Sequence, residues 1–299
     1  MGSMKTALLK VAAWVARLLP LPLKKWLYRS PVLAKAIRRS LNAAAPSGRV
    51  NVAIAAGPIQ GFIMALDLQS EKDYWLGTYE PELQAALERF IQPGDGVYDI
   101  GANIGYISLI AARFSGNQGR VFAFEALPDN IKRLKANIAL NNLEERIEVI
   151  HSAVVDRSAP VVFHVHPSGA MGKAEGSHGR QGHYAGQIEV PGLALDDFIF
   201  SQGNPPPRLV KLDIEGGEGM ALAGMARTLA EIRPVLLIEL HGEQAAGEVW
   251  HILEKNGYTL CQLRKGYPAI PRLDQLGWKA YIAALPGDCA SLGANRTLQ

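Results

Sequence analysis

The sequence is poor in two features that would point to particular protein classes. It has two cysteines, Cys261 and Cys289, and their spacing matches neither a metal site nor a redox motif. It also has no apolar run suited to a transmembrane helix, because Gly57-Pro58 splits the uncharged stretch 50–66. The sequence therefore favours neither a small domain held by disulfides or metal nor an integral membrane protein, and we expect a cytoplasmic location.

Acidic residues are absent from the first 66 positions. This segment holds ten Lys or Arg residues, and the rest of the chain, which carries all 28 acidic residues, is net negative. Apolar residues recur in it at helical spacing, which predicts a basic amphipathic helical arm over residues 1–49. Such a surface favours contact of residues 1–41 with an anionic membrane, on its inner face. A helix pair docked on the protein's own body and a homodimer arm remain alternatives, and nucleic acid is not predicted as a partner.

A nucleoside-binding βαβ unit is predicted over residues 97–125. An apolar run leads into Asp99, and a turn from Gly101 to Gly105 then precedes a helical pattern. Such a turn brings backbone N–H groups close to a ligand at the start of a helix. A second apolar strand ends about 20 residues later at Glu125, whose carboxylate is well placed to accept hydrogen bonds from ribose hydroxyls.

The residues of the turn distinguish two classes of cofactor. A dinucleotide site requires G-x-G-x-x-G, and Asn103 stands where that pattern needs glycine. Asp99 would place an anion beside the turn, which repels a pyrophosphate but suits the cationic amino-acid end of S-adenosylmethionine. The sequence therefore favours S-adenosylmethionine. An NAD-dependent oxidoreductase on the same kind of sheet remains an alternative.

Strand-like and helical segments alternate along the chain. Strands are predicted around residues 97–100, 121–124, 147–150, 209–212, 235–238, 259–263 and 279–283, and helices around 103–113, 129–141, 216–230 and 243–256. A β-hairpin over 50–55 and 62–66 precedes them, followed by a helix that starts near Pro81. This alternation is typical of an α/β fold with a doubly wound, Rossmann-like sheet. The predicted domains are the arm, 1–49, and a cofactor-binding domain, 50–299.

Glycine recurs through residues 167–184, which predicts an irregular loop inserted between two strands. The segment contains His178, Arg180, His183 and Tyr184, which are side chains suited to binding a sugar. A lid over the site and a plain surface loop remain alternatives.

Six ordered motifs run through residues 77–242. They are GTYEP from Gly77, DIGANIG from Asp99, FEALP from Phe124, Asn137 with Asn141-Asn142, KLDIEGGE from Lys211 and IELHG from Ile238. Together they resemble the motifs of FkbM-type methyltransferases, which are S-adenosylmethionine-dependent O-methyltransferases. The resemblance implies a seven-stranded sheet whose last strand is antiparallel. It also implies methylation of a hydroxyl on a sugar, a glycolipid or a polyketide-like molecule, with a catalytically inactive module tethered by its basic arm as a further alternative.

The predicted cofactor-binding residues follow the order of the motifs. Asp99, Gly101, Asn103 and Gly105 are assigned to the methionine end, Glu125 to the ribose, and Ser152 and Ala153 to the adenine. The resemblance adds Tyr79 and Glu80, which would close over the methionine portion. Asp213 is also included among the cofactor-binding residues.

Polar residues at the ends of two strands predict the catalytic group. Asp213 follows one strand, and Glu239 and His241 follow the next, so they are expected to meet at one edge of the sheet. A neutral imidazole suits removal of a hydroxyl proton at pH 7, which makes His241 the predicted base. Asp213 or Glu239 would orient it or act as base. The same residues could instead hold a divalent metal; metal-independent catalysis is favoured.

Overall fold

The computed structural model describes residues 44–167, 171–178, 184–277 and 281–287, together with residues 11, 14, 15, 39 and 42. Most of the predicted basic arm, and residues 180 and 183 of the predicted loop, lie outside the described residues. Within the part of the chain that is described, no helix is both long and apolar enough to cross a membrane.

Fourteen strands lie in the described residues. They are β1 (Arg49–Ala53), β2 (Ile63–Asp67), β3 (Gly96–Ile100), β4 (Arg120–Glu125), β5 (Ile147–His151), β6 (Ala153–Val154), β7 (Val161–Val165), β8 (Gly172–Ala174), β9 (Gly186–Val190), β10 (Gly192–Leu193), β11 (Leu209–Leu212), β12 (Val235–Glu239), β13 (Thr259–Gln262) and β14 (Tyr281–Leu285).

Six of the described helices are α-helical. They are α1 (Lys72–Trp75), α2 (Pro81–Phe90), α3 (Tyr106–Ser115), α4 (Pro128–Ala139), α5 (Glu218–Ala223) and α6 (Glu243–Lys255). Two π-helical turns, Asp197–Ser201 and Thr228–Ile232, and a 3₁₀ turn, Leu273–Gln275, complete the set. Helix α2 begins at Pro81, as predicted, because proline is favourable at the first position of a helix.

Seven strands form the central sheet, in the order β13-β14-β12-β11-β3-β4-β5. Neighbouring strands are parallel except at β14, which is antiparallel to both β12 and β13. This confirms the predicted α/β, doubly wound, Rossmann-like sheet with an antiparallel last strand. The direction of chain progression reverses between β3 and β11, so the crevice at their carboxyl ends is the place where such sheets bind ligands.

An aromatic cluster fills the core on one face of this sheet. Tyr98, Phe122 and Phe124 each lie 5.2–5.7 Å from the ring of Phe198, measured between ring centroids. The Tyr98 hydroxyl donates to the carbonyl oxygen of Pro205 at 2.7 Å, which satisfies its polar end. Burial of such rings, with about 0.5–1.5 kcal/mol more for each well-oriented pair, anchors β3 and β4 below the crevice.

The helix predicted over residues 216–230 is interrupted at Gly224. A Cβ there would lie 2.0 Å from the carbonyl oxygen of Val155. The Gly224 carbonyl also accepts the Asp196 N–H at 2.9 Å. These long-range contacts end α5 at Ala223, and the helical pattern of the sequence does not encode them.

The segment predicted as an irregular loop contains part of a small sheet. Strands β8, β7 and β9 pair antiparallel in that order, so the loop prediction is wrong over Gly172–Ala174. A Cβ at Gly172 would lie 2.5 Å from both the His164 carbonyl oxygen and the Phe163 ring. Glycine here permits close strand pairing instead of preventing regular structure.

The chain divides into two compact units, Met1–Pro81 with Ala139–Asn142, and Glu82–Ile138 with Leu143–Gln299. The first contains the predicted hairpin, confirmed as β1 paired antiparallel with β2. Asn141 binds both backbone groups of Ile63, through Oδ1 at 2.9 Å and Nδ2 at 2.8 Å. The domain boundary predicted after residue 49 stays a prediction.

Candidate functional site

The turn that follows β3 requires glycine at two positions. Gly101 and Gly105 have φ angles of 76° and 92°, in the left-handed region. A Cβ at residue 101 would lie 1.9 Å from the carbonyl oxygen of Asp213, and one at residue 105 would lie 2.5 Å from Leu134 Cδ1. The turn therefore packs directly against the end of β11, which brings predicted cofactor-binding and catalytic residues together.

Glu125 fastens this turn to the end of β4. Its Oε2 accepts the backbone N–H of Asn103 at 2.8 Å, and its Oε1 accepts the N–H of Leu127 at 2.9 Å and Nδ2 of Asn130 at 3.3 Å. A carboxylate can accept about four hydrogen bonds, and these donors use three of them. Burial raises the pKa of Glu125 above its ordinary value, against the opposing effect of the two backbone hydrogen bonds.

Asp99 lies fully buried in an ion pair with Lys211. Lys211 Nζ is 3.2 Å from Asp99 Oδ1, and Ser108 Oγ donates to Asp99 Oδ2 at 2.6 Å. The same Nζ donates to the carbonyl oxygens of Gly101 at 2.8 Å and Ile100 at 3.2 Å. The ammonium group therefore ties β11 to β3 and to the first residue of the turn.

This ion pair differs from the role predicted for Asp99. The sequence predicts an uncompensated anion beside the turn, whereas Lys211 neutralises the carboxylate inside the sheet. Burial would lower the pKa of Lys211, but the charges of Asp99 and Asp213 outweigh it and raise that pKa. The charge of Asp99 therefore does not by itself distinguish a pyrophosphate from a sulfonium ligand.

Asp213 follows β11 directly and faces four polar side chains, one of which, Glu239, shares a side-chain hydrogen bond with it. Tyr281 donates its hydroxyl to Oδ2 at 2.8 Å, Lys211 Nζ lies 3.7 Å from Oδ2, and His241 Nε2 lies 3.7 Å from Oδ1. Burial would raise the pKa of Asp213, but the charges of Lys211 and His241 hold it below its ordinary value. An ionised carboxylate of this kind is better suited to orienting a partner or holding a cation than to taking up a proton.

His241 lies at the centre of the predicted catalytic group. Its side chain is 6% exposed, and Nδ1 lies 2.9 Å from Glu218 Oε1, so Nδ1–H is assigned as the donor. Nε2 lies 3.7 Å from Asp213 Oδ1 and Glu239 Oε2 and 3.8 Å from Glu215 Oε2. These three separations are longer than hydrogen bonds.

The surrounding carboxylates set the charge of His241. Burial would lower its pKa, but the hydrogen bond to Glu218 and the charges of Glu218, Asp213 and Glu215 raise it to about 9. The ring is therefore a cation at pH 7, unlike the neutral base that the sequence predicts. A positive charge placed beside Nε2 would favour the neutral ring again.

Asp213, Glu239 and His241 form one group in space, as predicted from the ends of β11 and β12. Their candidate ligand atoms lie within 4.8 Å of one another, and no second group of this kind occurs among the residues that the structure describes. Two carboxylates and an imidazole are suited both to handling a proton and to holding a divalent cation.

The predicted adenine segment begins beside Glu125. The Ser152 N–H donates to the Glu125 carbonyl oxygen at 3.1 Å, and the Ala153 N–H donates to that of Pro191 at 2.8 Å. Ser152 also lines a cavity of about 490 Å³, to which Phe198 contributes. The structure therefore places Ser152 next to the residue assigned to the ribose.

Tyr79 and Glu80 belong to the other compact unit. The Tyr79 ring packs against Tyr74 with centroids 4.5 Å apart, and Glu80 has a φ of 41°. Their assignment to the methionine portion stays a prediction.

The insertion reaches the carboxyl edge of the sheet through His178. Its N–H donates to the Gly216 carbonyl oxygen at 3.0 Å, and its Nε2 lies 3.2 Å from both Glu248 Oε1 and Gln244 Nε2. A Cβ at Gly242 would lie 3.2 Å from the His178 carbonyl oxygen. His178 therefore contacts the chain next to both Glu215 and His241.

Lys211 and Glu218 are missing from the predicted site residues. Lys211 interrupts an apolar strand and lies in register with Asp99, which is a usable signal because a buried charge needs a partner. Glu218 is fully buried, and its Oε1 accepts the Gly216 N–H at 3.0 Å as well as the His241 ring proton. No comparable signal in the sequence marks Glu218 as the partner of His241.

Comparison with known proteins assigns a family to this arrangement. Residues 99–260 match the model of the methyltransferase FkbM domain. A hexuronic acid methyltransferase of Haloferax volcanii is 25% identical over 66% of this chain and 78% of its own length. A 31-O-demethyl-FK506 methyltransferase of Streptomyces tacrolimicus is 30% identical over 57% of this chain and 75% of its own length.

A solved structure, of the methyltransferase FkbM from Methylobacillus flagellatus, gives a TM-score of 0.44 at 19% identity. It covers 74% of this chain, and this chain spans 56% of its length.

The family match, which includes both the turn and the catalytic group, decides against an NAD-dependent oxidoreductase. The chain belongs to the FkbM methyltransferase family and is an S-adenosylmethionine-dependent methyltransferase.

Proposed function

We propose that this protein transfers the methyl group to a hydroxyl oxygen of a sugar, a glycolipid or a polyketide-like small molecule. The observation that carries the proposal is the contact between the cofactor turn and the predicted catalytic group. The turn at Gly101 packs on the backbone of Asp213, so the group formed by Asp213, Glu239 and His241 lies at the mouth of the cofactor turn.

The residues around the turn fit S-adenosylmethionine. Gly101 and Gly105 keep side chains away from the start of α3, where backbone N–H groups can approach a ligand. Glu125 lies beside Asn103 with acceptor capacity for a ribose hydroxyl, and Ser152 follows at the adenine side. The cofactor supplies a methyl group activated by its positive sulfur.

The catalytic group would hold the acceptor and take its proton. Methyl transfer is an in-line displacement, so the protein must align the acceptor oxygen with the methyl carbon. Glu218 fixes the His241 ring, and the ring directs Nε2 towards Asp213 and Glu239. In our proposal the positive sulfur of the bound cofactor favours the neutral form of His241, and the acceptor hydroxyl passes its proton to Nε2 as the oxygen–carbon bond forms.

Two findings support a small hydroxylated acceptor. One relative is named for a hexuronic acid and the other for 31-O-demethyl-FK506, which are both small molecules. In addition, His178 brings a further polar side chain from the insertion to the edge of the catalytic group. A polar wall of this kind suits the hydroxyls of a sugar.

The test is turnover with a panel of acceptors. The full chain is incubated with S-adenosylmethionine and, separately, hexuronic acid glycosides, neutral sugars, glycolipids and macrolides, and methylated product is identified by mass and by NMR. We expect an O-methyl product from one class. We also expect loss of about 10²–10⁴-fold in turnover for His241→Ala, with binding of S-adenosylhomocysteine retained.

Two results would contradict the proposal. Methyl transfer to nitrogen or sulfur would contradict hydroxyl chemistry, and full turnover in His241→Ala would contradict the catalytic group. Binding of S-adenosylmethionine without turnover on any acceptor of the panel would favour the inactive, arm-tethered module. The matched control is His251→Ala, which removes an exposed imidazole from α6.

A further inference from the structure

We infer that the group formed by Asp213, Glu239 and His241 is a binding site for one divalent cation of the Mn²⁺ type. The inference rests on the proposed function, because the cation would lie where the acceptor hydroxyl is held. It is the alternative to the metal-independent catalysis that the sequence favours.

The spacing of the three side chains suits a shared ion. His241 Nε2 lies 3.7 Å from Asp213 Oδ1 and 3.7 Å from Glu239 Oε2, and all candidate ligand atoms of the group lie within 4.8 Å of one another. An octahedral ion with ligand distances of about 2.1 Å has neighbouring ligands about 3 Å apart and opposite ones about 4 Å apart. The two separations from His241 Nε2 are too long for direct hydrogen bonds and lie between these values, and a shared ion would take the place of the side-chain hydrogen bond between Asp213 and Glu239.

The hydrogen bond at Nδ1 of His241 is typical of a metal-binding histidine. A ligating histidine almost always donates its other ring N–H to a carboxylate or carbonyl, which fixes the ring and its tautomer. His241 Nδ1 has such a partner in Glu218, which is fully buried and is itself held by the Gly216 N–H. The ring is 6% exposed, and its second nitrogen, Nε2, faces the carboxylates.

The distribution of charge also favours a cation. Asp213, Glu215, Glu218 and Glu239 all carry oxygens within 3.8 Å of the His241 ring nitrogens. Two buried cations lie nearby: the His241 ring, which gives up its proton when Nε2 binds an ion, and Lys211, whose Nζ is already held by Asp99 and by two backbone carbonyls. Carboxylates brought together at a partly buried site favour a positive charge between them.

The ligand types indicate which ion would bind. Carboxylates suit Mg²⁺, Ca²⁺ and Mn²⁺, whereas imidazole suits zinc and the later first-row metals. Mn²⁺ accepts both, and three protein ligands leave positions for water and for an acceptor hydroxyl. A hydroxyl bound to such an ion would be more acidic and would pass its proton to water, instead of to His241, as the oxygen–carbon bond forms.

The test measures binding of Mn²⁺ alone to the full chain, by electron paramagnetic resonance of the free ion during titration. We expect one saturable site in the unmodified protein. Glu239→Gln and Asp213→Asn should weaken it at least about tenfold, and Glu218→Gln about 10–100-fold, as measured for outer partners of metal ligands. Glu248→Gln, which removes a nearby carboxylate outside the group, should leave it unchanged.

The outcomes separate this inference from the proposed function. No saturable Mn²⁺ site, or equal affinity in Glu239→Gln and in the Glu248→Gln control, would overturn the cation site. If Asp213→Asn unfolds because Lys211 loses a partner, Glu239→Gln and His241→Ala carry the test. Calorimetry of S-adenosylhomocysteine on the same metal-free protein reports the cofactor site alone, so either proposal can fail without the other.

Discussion

The turn can pack on the end of β11 only because residue 101 is glycine and carries no Cβ. Gly101→Ala would place its Cβ 1.9 Å from a backbone carbonyl oxygen, and the φ of 76° adds strain. The clash should lower the free energy of unfolding by about 2 kcal/mol or more, in addition to the cost of placing alanine at a positive φ. Urea denaturation followed by circular dichroism measures the loss.

Gly94 supplies the matched control for this prediction. It also has a positive φ, of 92°, but a Cβ there would meet nothing within 4 Å. Gly94→Ala should therefore cost about 1 kcal/mol, which is the price of the backbone conformation alone. Equal losses in the two variants would mean that the contact with Asp213 contributes nothing.

Glu125 governs the pH dependence of cofactor binding. Its pKa is raised, chiefly by burial, so it takes up a proton at a higher pH than an ordinary carboxyl group. The protonated form has lost its charge and an acceptor position, so affinity for S-adenosylhomocysteine should fall as the pH falls through the raised pKa. Calorimetry at a series of pH values measures this decline.

Glu125→Gln tests the same assignment at fixed pH. This variant should bind S-adenosylhomocysteine weaker by about 1–3 kcal/mol at neutral pH, with the acid-dependent decline abolished. Glu148→Gln, which removes an exposed carboxylate paired with Arg120, is the control. Unaltered affinity in Glu125→Gln would remove Glu125 from the ribose site.

For single residues, the sequence predicts where a side chain lies better than it predicts which distant side chain it contacts. Gly101, Glu125 and the catalytic group follow from the spacing of turns and strand ends, which are local properties. The charge of Asp99 is misjudged because its partner, Lys211, follows about 110 residues later and meets it through strand register alone.

At the scale of elements, β11 is joined to β3 by a buried ion pair as well as by the backbone ladder. Lys211→Met should destabilise the protein by about 3–5 kcal/mol, because Asp99 is left charged without its partner. The double variant Asp99→Asn/Lys211→Met should lose clearly less than the sum of the single variants. Denaturant unfolding of the complete cycle gives the coupling energy. Additive losses would show that the pair does not join the strands.

The elements of the parallel sheet are the part of the fold that the sequence predicts best. Their apolar runs are continuous because helices cover both faces, and their turns carry glycine and acidic residues. The failures are β8 and the end of the helix at Ala223. Both depend on glycines that permit close approach to distant backbone, at Gly172 and Gly224.

At the scale of the whole molecule, charge is divided along the chain. Most of residues 1–41 lies outside the described residues, but Val11 and Trp14 are described and are 55% and 62% exposed. Exposed apolar side chains among many cations support our proposal that this segment binds an anionic membrane. Each Lys or Arg near such a surface contributes on the order of 1 kcal/mol, screened by salt.

The prediction is sedimentation of the full chain with anionic but not neutral liposomes, weakened at high ionic strength and lost on deletion of residues 1–41. Binding of S-adenosylhomocysteine should be unchanged by the deletion, because the predicted cofactor-binding residues begin only at Tyr79. A full-length protein that ignores anionic liposomes at low salt would exclude membrane contact. Light scattering would then test the homodimer arm, through a loss of mass on truncation.

The position of β14 has a consequence for synthesis of the protein. In the central sheet, β14 lies between β12 and β13, and its Tyr281 donates to Asp213. Strand β13 therefore emerges from the ribosome before the strand it pairs with, and the nascent chain carries an unfinished sheet edge until Leu285 has been made. A chain interrupted before that residue would expose this edge to other chains, so we expect stalled or truncated products to be degraded or to aggregate, never to methylate.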